Sequence, residues 1–98
     1  MRDGIVFVPL AATGRAAMFD FRYDSNDRMI YARDDSVQLS LGSRDGTVDG
    51  RRRSLPASAE MRNGSVYVPI QFIGWAVDGT AKWDSDNRMV VVSTTRNR

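Results

Sequence analysis

Asp84-Ser85-Asp86-Asn87 alternates carboxylate and amide oxygens, the donor set with which a loop begins to surround a calcium ion. It lacks the glycine at the sixth position and the glutamate at the twelfth that would complete such a loop, and the same residue types are what a four-residue hairpin turn requires. The turn is the expected reading, with no metal bound. Arg51-Arg52-Arg53 is the densest run of charge and has the chemistry to grip phosphate, an anionic wall polymer or an acidic protein surface. On a strand, Arg51 and Arg53 share one face while Arg52 points to the other, and an edge strand guarded by charge accounts for the run better than a single gripping site. Trp75 falls on a helical side shared with Gln71 and Asp78, away from Ile73 and Val77. An aromatic ring on a polar face is an anchor for a sugar or a protein partner, unless the connecting segment covers it. Trp83 aligns with Tyr23 and is expected to be packed.

Binding side chains are thus Trp75, Gln71, Arg51, Arg52 and Arg53, and none of them forms a catalytic set. The chain has no His and no Cys, which excludes thiol and imidazole chemistry and removes the usual ligands of copper, zinc and haem. The serines have no His and no evident Lys beside them. No cofactor is expected, and no enzyme. A small carbohydrate-active hydrolase is the exception to keep in view, and it requires two carboxyl groups facing each other across a cleft.

A chain of 98 residues, 42% hydrophobic and 27% charged, has apolar material for one compact core. Fourteen basic residues, all Arg except Lys82, stand against twelve acidic ones, a net charge of +2. So small an excess does not point to nucleic acid, although a basic nucleic-acid-binding module is the rival from another class, and it needs basic residues gathered on one face with exposed aromatics among them. No apolar stretch approaches the length of a membrane span, and Met1-Arg2-Asp3-Gly4 lacks a signal-peptide layout.

The elements that hold these side chains follow from a repeat. Residues 2–33 lie over 62–93 without a gap: Gly4, Val6, Val8, Pro9, Gly14, Ala16, Asp24, Ser25, Arg28 and Met29 recur as Gly64, Val66, Val68, Pro69, Gly74, Ala76, Asp84, Ser85, Arg88 and Met89. Each copy opens on a turn dipeptide, Asp3-Gly4 or Asn63-Gly64, and enters a short apolar strand at 5–8 or 65–68. Pro9 and Pro69 end the strand and suit the first turn of a helix running to Met18 or Asp78. In the second copy Ile70, Ile73 and Val77 mark one buried helical face. Phe19, Phe21 and Tyr23 then alternate with Asp20 and Arg22 as a half-buried strand, and a polar tetrapeptide turns the chain into 29–32 or 89–92. Between the copies, residues 36–61 alternate at Val37, Leu39 and Leu41 and turn at Asp49-Gly50, a linking hairpin that extends the sheet. The prediction is an α+β fold over 1–98 in which two pseudo-symmetric strand-helix-hairpin units pack short helices on a largely antiparallel sheet.

Asn63-Gly64, Val68-Pro69-Ile70, a short helix, Trp83-Asp84 and a Val-rich strand together resemble the copper amine oxidase N-terminal-like domain, and Leu41-Gly42-Ser43 with Val48-Asp49-Gly50 is similar to that family's linking hairpin. The resemblance implies a stalk or accessory module of the kind found in some copper amine oxidases and in secreted or cell-surface bacterial proteins. It implies no oxidase, since copper and the modified tyrosine belong to a separate catalytic domain. The family's helical Arg and Glu are replaced here by Gln71 and Trp75, and by Ala11 and Arg15 in the first copy. By resemblance the partners are neighbouring domains of a longer chain and a cell-wall polysaccharide or protein, at an extracellular or cell-surface location. One further expectation comes from the repeat: Met61-Arg62 closes a strand that pairs across Asn63-Gly64, while the equivalent Met1-Arg2 has nothing before it here, so the edge at 5–8 is expected either to receive that strand from preceding residues of a longer polypeptide or to self-associate.

Overall fold

In the computed structural model, residues 4–94 are described. They form ten strands and two helices in the order β1 (Phe7–Pro9), α1 (Leu10–Ala17), β2 (Phe21–Asp24), β3 (Met29–Ala32), β4 (Val37–Ser40), β5 (Asp45–Val48), β6 (Arg51–Ser54), β7 (Glu60–Arg62), β8 (Ser65–Pro69), α2 (Ile70–Val77), β9 (Gly79–Asp84) and β10 (Met89–Thr94). The fold is α+β, and all strand pairs are antiparallel. The single sheet expected from the sequence is divided into three. These are β1-β8-β7, the two-stranded β9-β10, and the five-stranded meander β2-β3-β4-β5-β6.

The element order strand, helix, strand, strand recurs sixty residues apart, as β1-α1-β2-β3 and β8-α2-β9-β10. Both helices begin directly after an extended proline, Pro9 or Pro69, which ends the preceding strand at the N-cap position and has no N–H to leave unpaired. Both end on a left-handed residue, Met18 or Asp78, whose N–H returns to a carbonyl of the last turn. Where the halves meet, β1 pairs with β8 as Phe7↔Pro69, Val8↔Val68 and Pro9↔Tyr67, a register unchanged when each residue is exchanged for its equivalent sixty positions away. Residues 7–9 therefore have a partner strand on one side, supplied by the second half of the chain. The expectation that no strand precedes the Asp3-Gly4 turn concerns residues 1–3, which lie outside the described residues.

The core lies between the helices and the inner face of the five-stranded sheet. Ile30, Val37, Leu39, Ala59, Val68, Phe72 and Ile73 have no exposed surface. On β3 and β4 the alternation holds: Ile30, Ala32, Val37 and Leu39 point inward while Tyr31 and Gln38 point out. The helices differ sharply. Phe72, Ile73, Trp75 and Ala76 of α2 are all buried, whereas in α1 the equivalent Ala12, Arg15 and Ala16 are exposed and Thr13 half-buried. The five-stranded sheet covers α2, and the sequence places bulky apolar side chains on the helix that is covered and small or charged ones on the helix that is not.

Candidate functional site

Trp75 is not on the surface. It is 5% exposed, with its ring beside Phe72 at a centroid distance of 5.9 Å and near Gly46 of β5. The guanidinium of Arg53, the cross-strand partner of Gly46, lies 5.4 Å from the ring centroid. The reading of Trp75 as an exposed anchor is thereby corrected in favour of its alternative, a side chain covered by the connecting segment. The helical-face argument treated α2 as having one buried side, but its neighbours close around it. Gln71 is exposed, one turn back on the same helix, and the structure does not bring it together with the arginines into a cluster. Arg33 in the β3–β4 turn anchors the same region: its Nε donates to the Trp75 carbonyl at 3.1 Å, satisfying an end-of-helix acceptor, and its guanidinium meets Asp49 at 3.3 Å.

The arginine run divides as the strand alternation predicts. Arg53 turns to the inner side over Trp75, and Arg52 lies on the outer face of the sheet beside Gln38, Ser40, Asp45 and Thr47. All three are exposed on the marginal strand β6. Trp83, expected to be packed, is 38% exposed, because β9-β10 is a two-stranded ribbon whose cover ends before its tip.

A row of side chains, of which the sequence singled out Arg52 alone, crosses the five-stranded sheet on its outer face. The ladder pairs Arg22↔Tyr31, Tyr31↔Gln38, Gln38↔Thr47 and Thr47↔Arg52, so one side chain from each strand stands in line. At the strand spacing of ~4.8 Å the row is about 20 Å long. Tyr31, Gln38 and Thr47 are half-buried, and both terminal arginines are exposed. Arg22 stacks its guanidinium 4.0 Å from the Tyr31 centroid and pairs with Asp35 at 3.0 Å; this carboxylate raises the Arg22 pKa further above its ordinary value. The row was visible in sequence only as the polar half of each alternation, and nothing in the spacing of residues 22, 31, 38, 47 and 52 announces a register.

The two tetrapeptide turns use their carboxylates internally. Asp84 Oδ1 accepts from the amides of Asp86 and Asn87 at 3.1 and 3.3 Å, and its Oδ2 accepts from Asn87 Nδ2 at 2.9 Å. Asp24 Oδ1 does the same for the amides of Asn26 and Asp27. Hydrogen bonding to Asn87 holds the Asp84 carboxyl below its ordinary pKa. A carboxyl with a depressed folded-state pKa adds stability above its unfolded pKa and loses it as pH falls through the folded value. Acid titration of Asp84→Asn should therefore show a shallower loss of hairpin order below the carboxylate range than the parent, read from the amide shifts of Asp86 and Asn87; identical titrations would refute this. Among the described residues, no three acidic side chains gather to hold a metal ion.

Comparison with known proteins places residues 1–92 in a match to the family described as Copper amine oxidase N-terminal domain. No curated protein matches the chain.

Proposed function

Because this chain belongs to the copper amine oxidase N-terminal domain family, a non-catalytic accessory domain, we propose that it is a stalk or surface-attachment module of a larger secreted bacterial protein, built from two copies of one unit in a single domain. Its binding surface is the outer face of the five-stranded sheet, and its ligand is a wall glycan. The observation that carries this reading is the row Arg22-Tyr31-Gln38-Thr47-Arg52, five hydrogen-bonding side chains held in line on a rigid sheet. An extended polymer of hydroxyl and anionic groups can lie across such a row and meet a donor or acceptor at every strand. No cleft is needed for it, and no acid–base pair. The split of Arg52 from Arg53 works against the nucleic-acid reading, which needs the basic residues on one face. No helix among the described residues is long and apolar enough to cross a membrane.

Co-sedimentation with a purified bacterial wall fraction tests the proposal. The chain should be retained, and Arg52→Ala and Gln38→Ala should each weaken retention about fivefold, the value of roughly one hydrogen bond. Gln71→Ala, on α2, should leave it unchanged. Absence of retention, or loss with Gln71→Ala and not with Arg52→Ala, would overturn the assignment.

A further inference from the structure

The first and last hairpins are built alike, and they differ in what lies beside them. Arg28 and Arg88 close the two turns in the left-handed conformation, at φ 57° and 53°. Beyond the first turn, β3 is flanked by β2 and β4, and the Leu41 amide donates to the Arg28 carbonyl at 2.8 Å. Ile30 and Ala32 are consequently 0% and 2% exposed. β10, the strand equivalent to β3, has β9 on one side and no strand on the other among the described residues. The backbone groups that β3 offers to β4 correspond here to those of Arg88, Val90 and Val92. Met89, Val91 and Val92 are 50%, 38% and 36% exposed.

Sheet margins are normally blunted by charge or proline. In this chain β2 carries Arg22 and Asp24, β6 carries three arginines, β7 carries Glu60 and Arg62, β9 carries Lys82 and Asp84, and β1 ends in Pro9. Only β10 runs from residue 89 to 93 with neither. An uncharged edge accepts an uncharged strand most readily, and among the described residues the one such margin is β10 itself. Self-pairing also closes by two-fold symmetry and leaves no further edge of this kind exposed.

We infer that β10 pairs antiparallel with β10 of a second copy, Val91 facing Val91, so that two β9-β10 ribbons join into a four-stranded sheet. In this register Val90 stands opposite Val92 of the second copy and Met89 opposite Ser93, so no like charges meet across residues 89–93. The outward backbone groups of 90 and 92 find each other, as those of β3 find β4. Val90 and Val92 also line, with Thr13, Ala16 and Ala17, an open groove between β10 and α1, and the incoming valines extend the apolar face of that groove.

Sedimentation velocity over a concentration series of the 98-residue chain tests the inference. The parent should pass from monomer to dimer as concentration rises. Val91→Glu should move that transition to at least about tenfold higher concentration, since two carboxylates would face each other across the new pairing. Within one chain the new Glu lies opposite Lys82, a favourable cross-strand pair, so loss of the dimer would not reflect loss of the fold. Because the chain has no Cys, Val91→Cys should give a single cross-linked dimer on mild oxidation, much faster than Thr47→Cys on the outer face of the large sheet. A parent that stays monomeric throughout, a Val91→Glu dimer of unchanged strength, or Val91→Cys cross-linking no faster than Thr47→Cys would each overturn it.

Discussion

Trp75→Ala should destabilise the protein by about 3–5 kcal/mol, the cost of deleting a buried large aromatic. The buried ring packs beside Phe72 of its own helix and against the neighbouring pair Gly46 and Arg53 of β5 and β6. Removing it leaves a cavity between α2 and β5 that cannot collapse readily, because β5 is held on both sides by β4 and β6. It also strips the cover from Arg53 and loosens the C-terminal end of α2, where Arg33 reaches the Trp75 carbonyl. Trp83→Ala should cost about 1 kcal/mol, mainly its cross-strand contact with Val90. Urea denaturation of both variants against the parent decides the matter, and equal losses, or a larger loss at Trp83, would show that the core is organised otherwise.

The two tryptophans mark where sequence reasoning stopped. The gapless match between residues 2–33 and 62–93 carried the order of strands and helices, the caps at Pro9 and Pro69 and both four-residue turns, because these depend on local chemistry repeated in each half. Strand alternation likewise located the inward Val37 and Leu39 of β4. What the repeat could not carry is the asymmetry between the halves. Residues 36–61 lie between the two copies, join the hairpin of the first to make five strands, and fold over the helix of the second. Trp75 is buried and Trp83 half uncovered as a consequence of that placement, which is a property of topology and not of either local pattern. One clue was present: Arg15 stands where the second unit has Trp75, and Ala12 where it has Phe72, so the helices were never suited to equal surroundings. The outer-face row was legible still less, since its members are spread over 31 positions and become neighbours only through four registers.

Gly46 is the other clue, and Gly46→Ala is expected to cost about 2–3 kcal/mol, near the top of the range for overpacking by one methyl group. A glycine inside a strand often marks a place where another chain segment comes close. Here a Cβ would lie 2.5 Å from the Gln38 carbonyl oxygen, 3.1 Å from the Trp75 ring and 3.3 Å from Leu39. The ring can tilt and the leucine can turn, but the carbonyl belongs to the backbone of β4, so relief requires β4 and β5 to part at the Leu39↔Gly46 pair. Gly14→Ala offers the contrast, since the atoms nearest its Cβ would be those of the Phe21 ring at 2.7 Å and the Phe19 ring at 3.4 Å, on side chains that are not fully buried. It should cost less than Gly46→Ala. Combining Gly46→Ala with Trp75→Ala should cost less than the two losses added together, because the ring contact is then gone while the carbonyl contact persists. Additive losses would mean that the methyl group is accommodated without touching the ring, and a Gly46→Ala protein as stable as the parent would show that β4 and β5 are not held at the separation on which the burial of Trp75 depends.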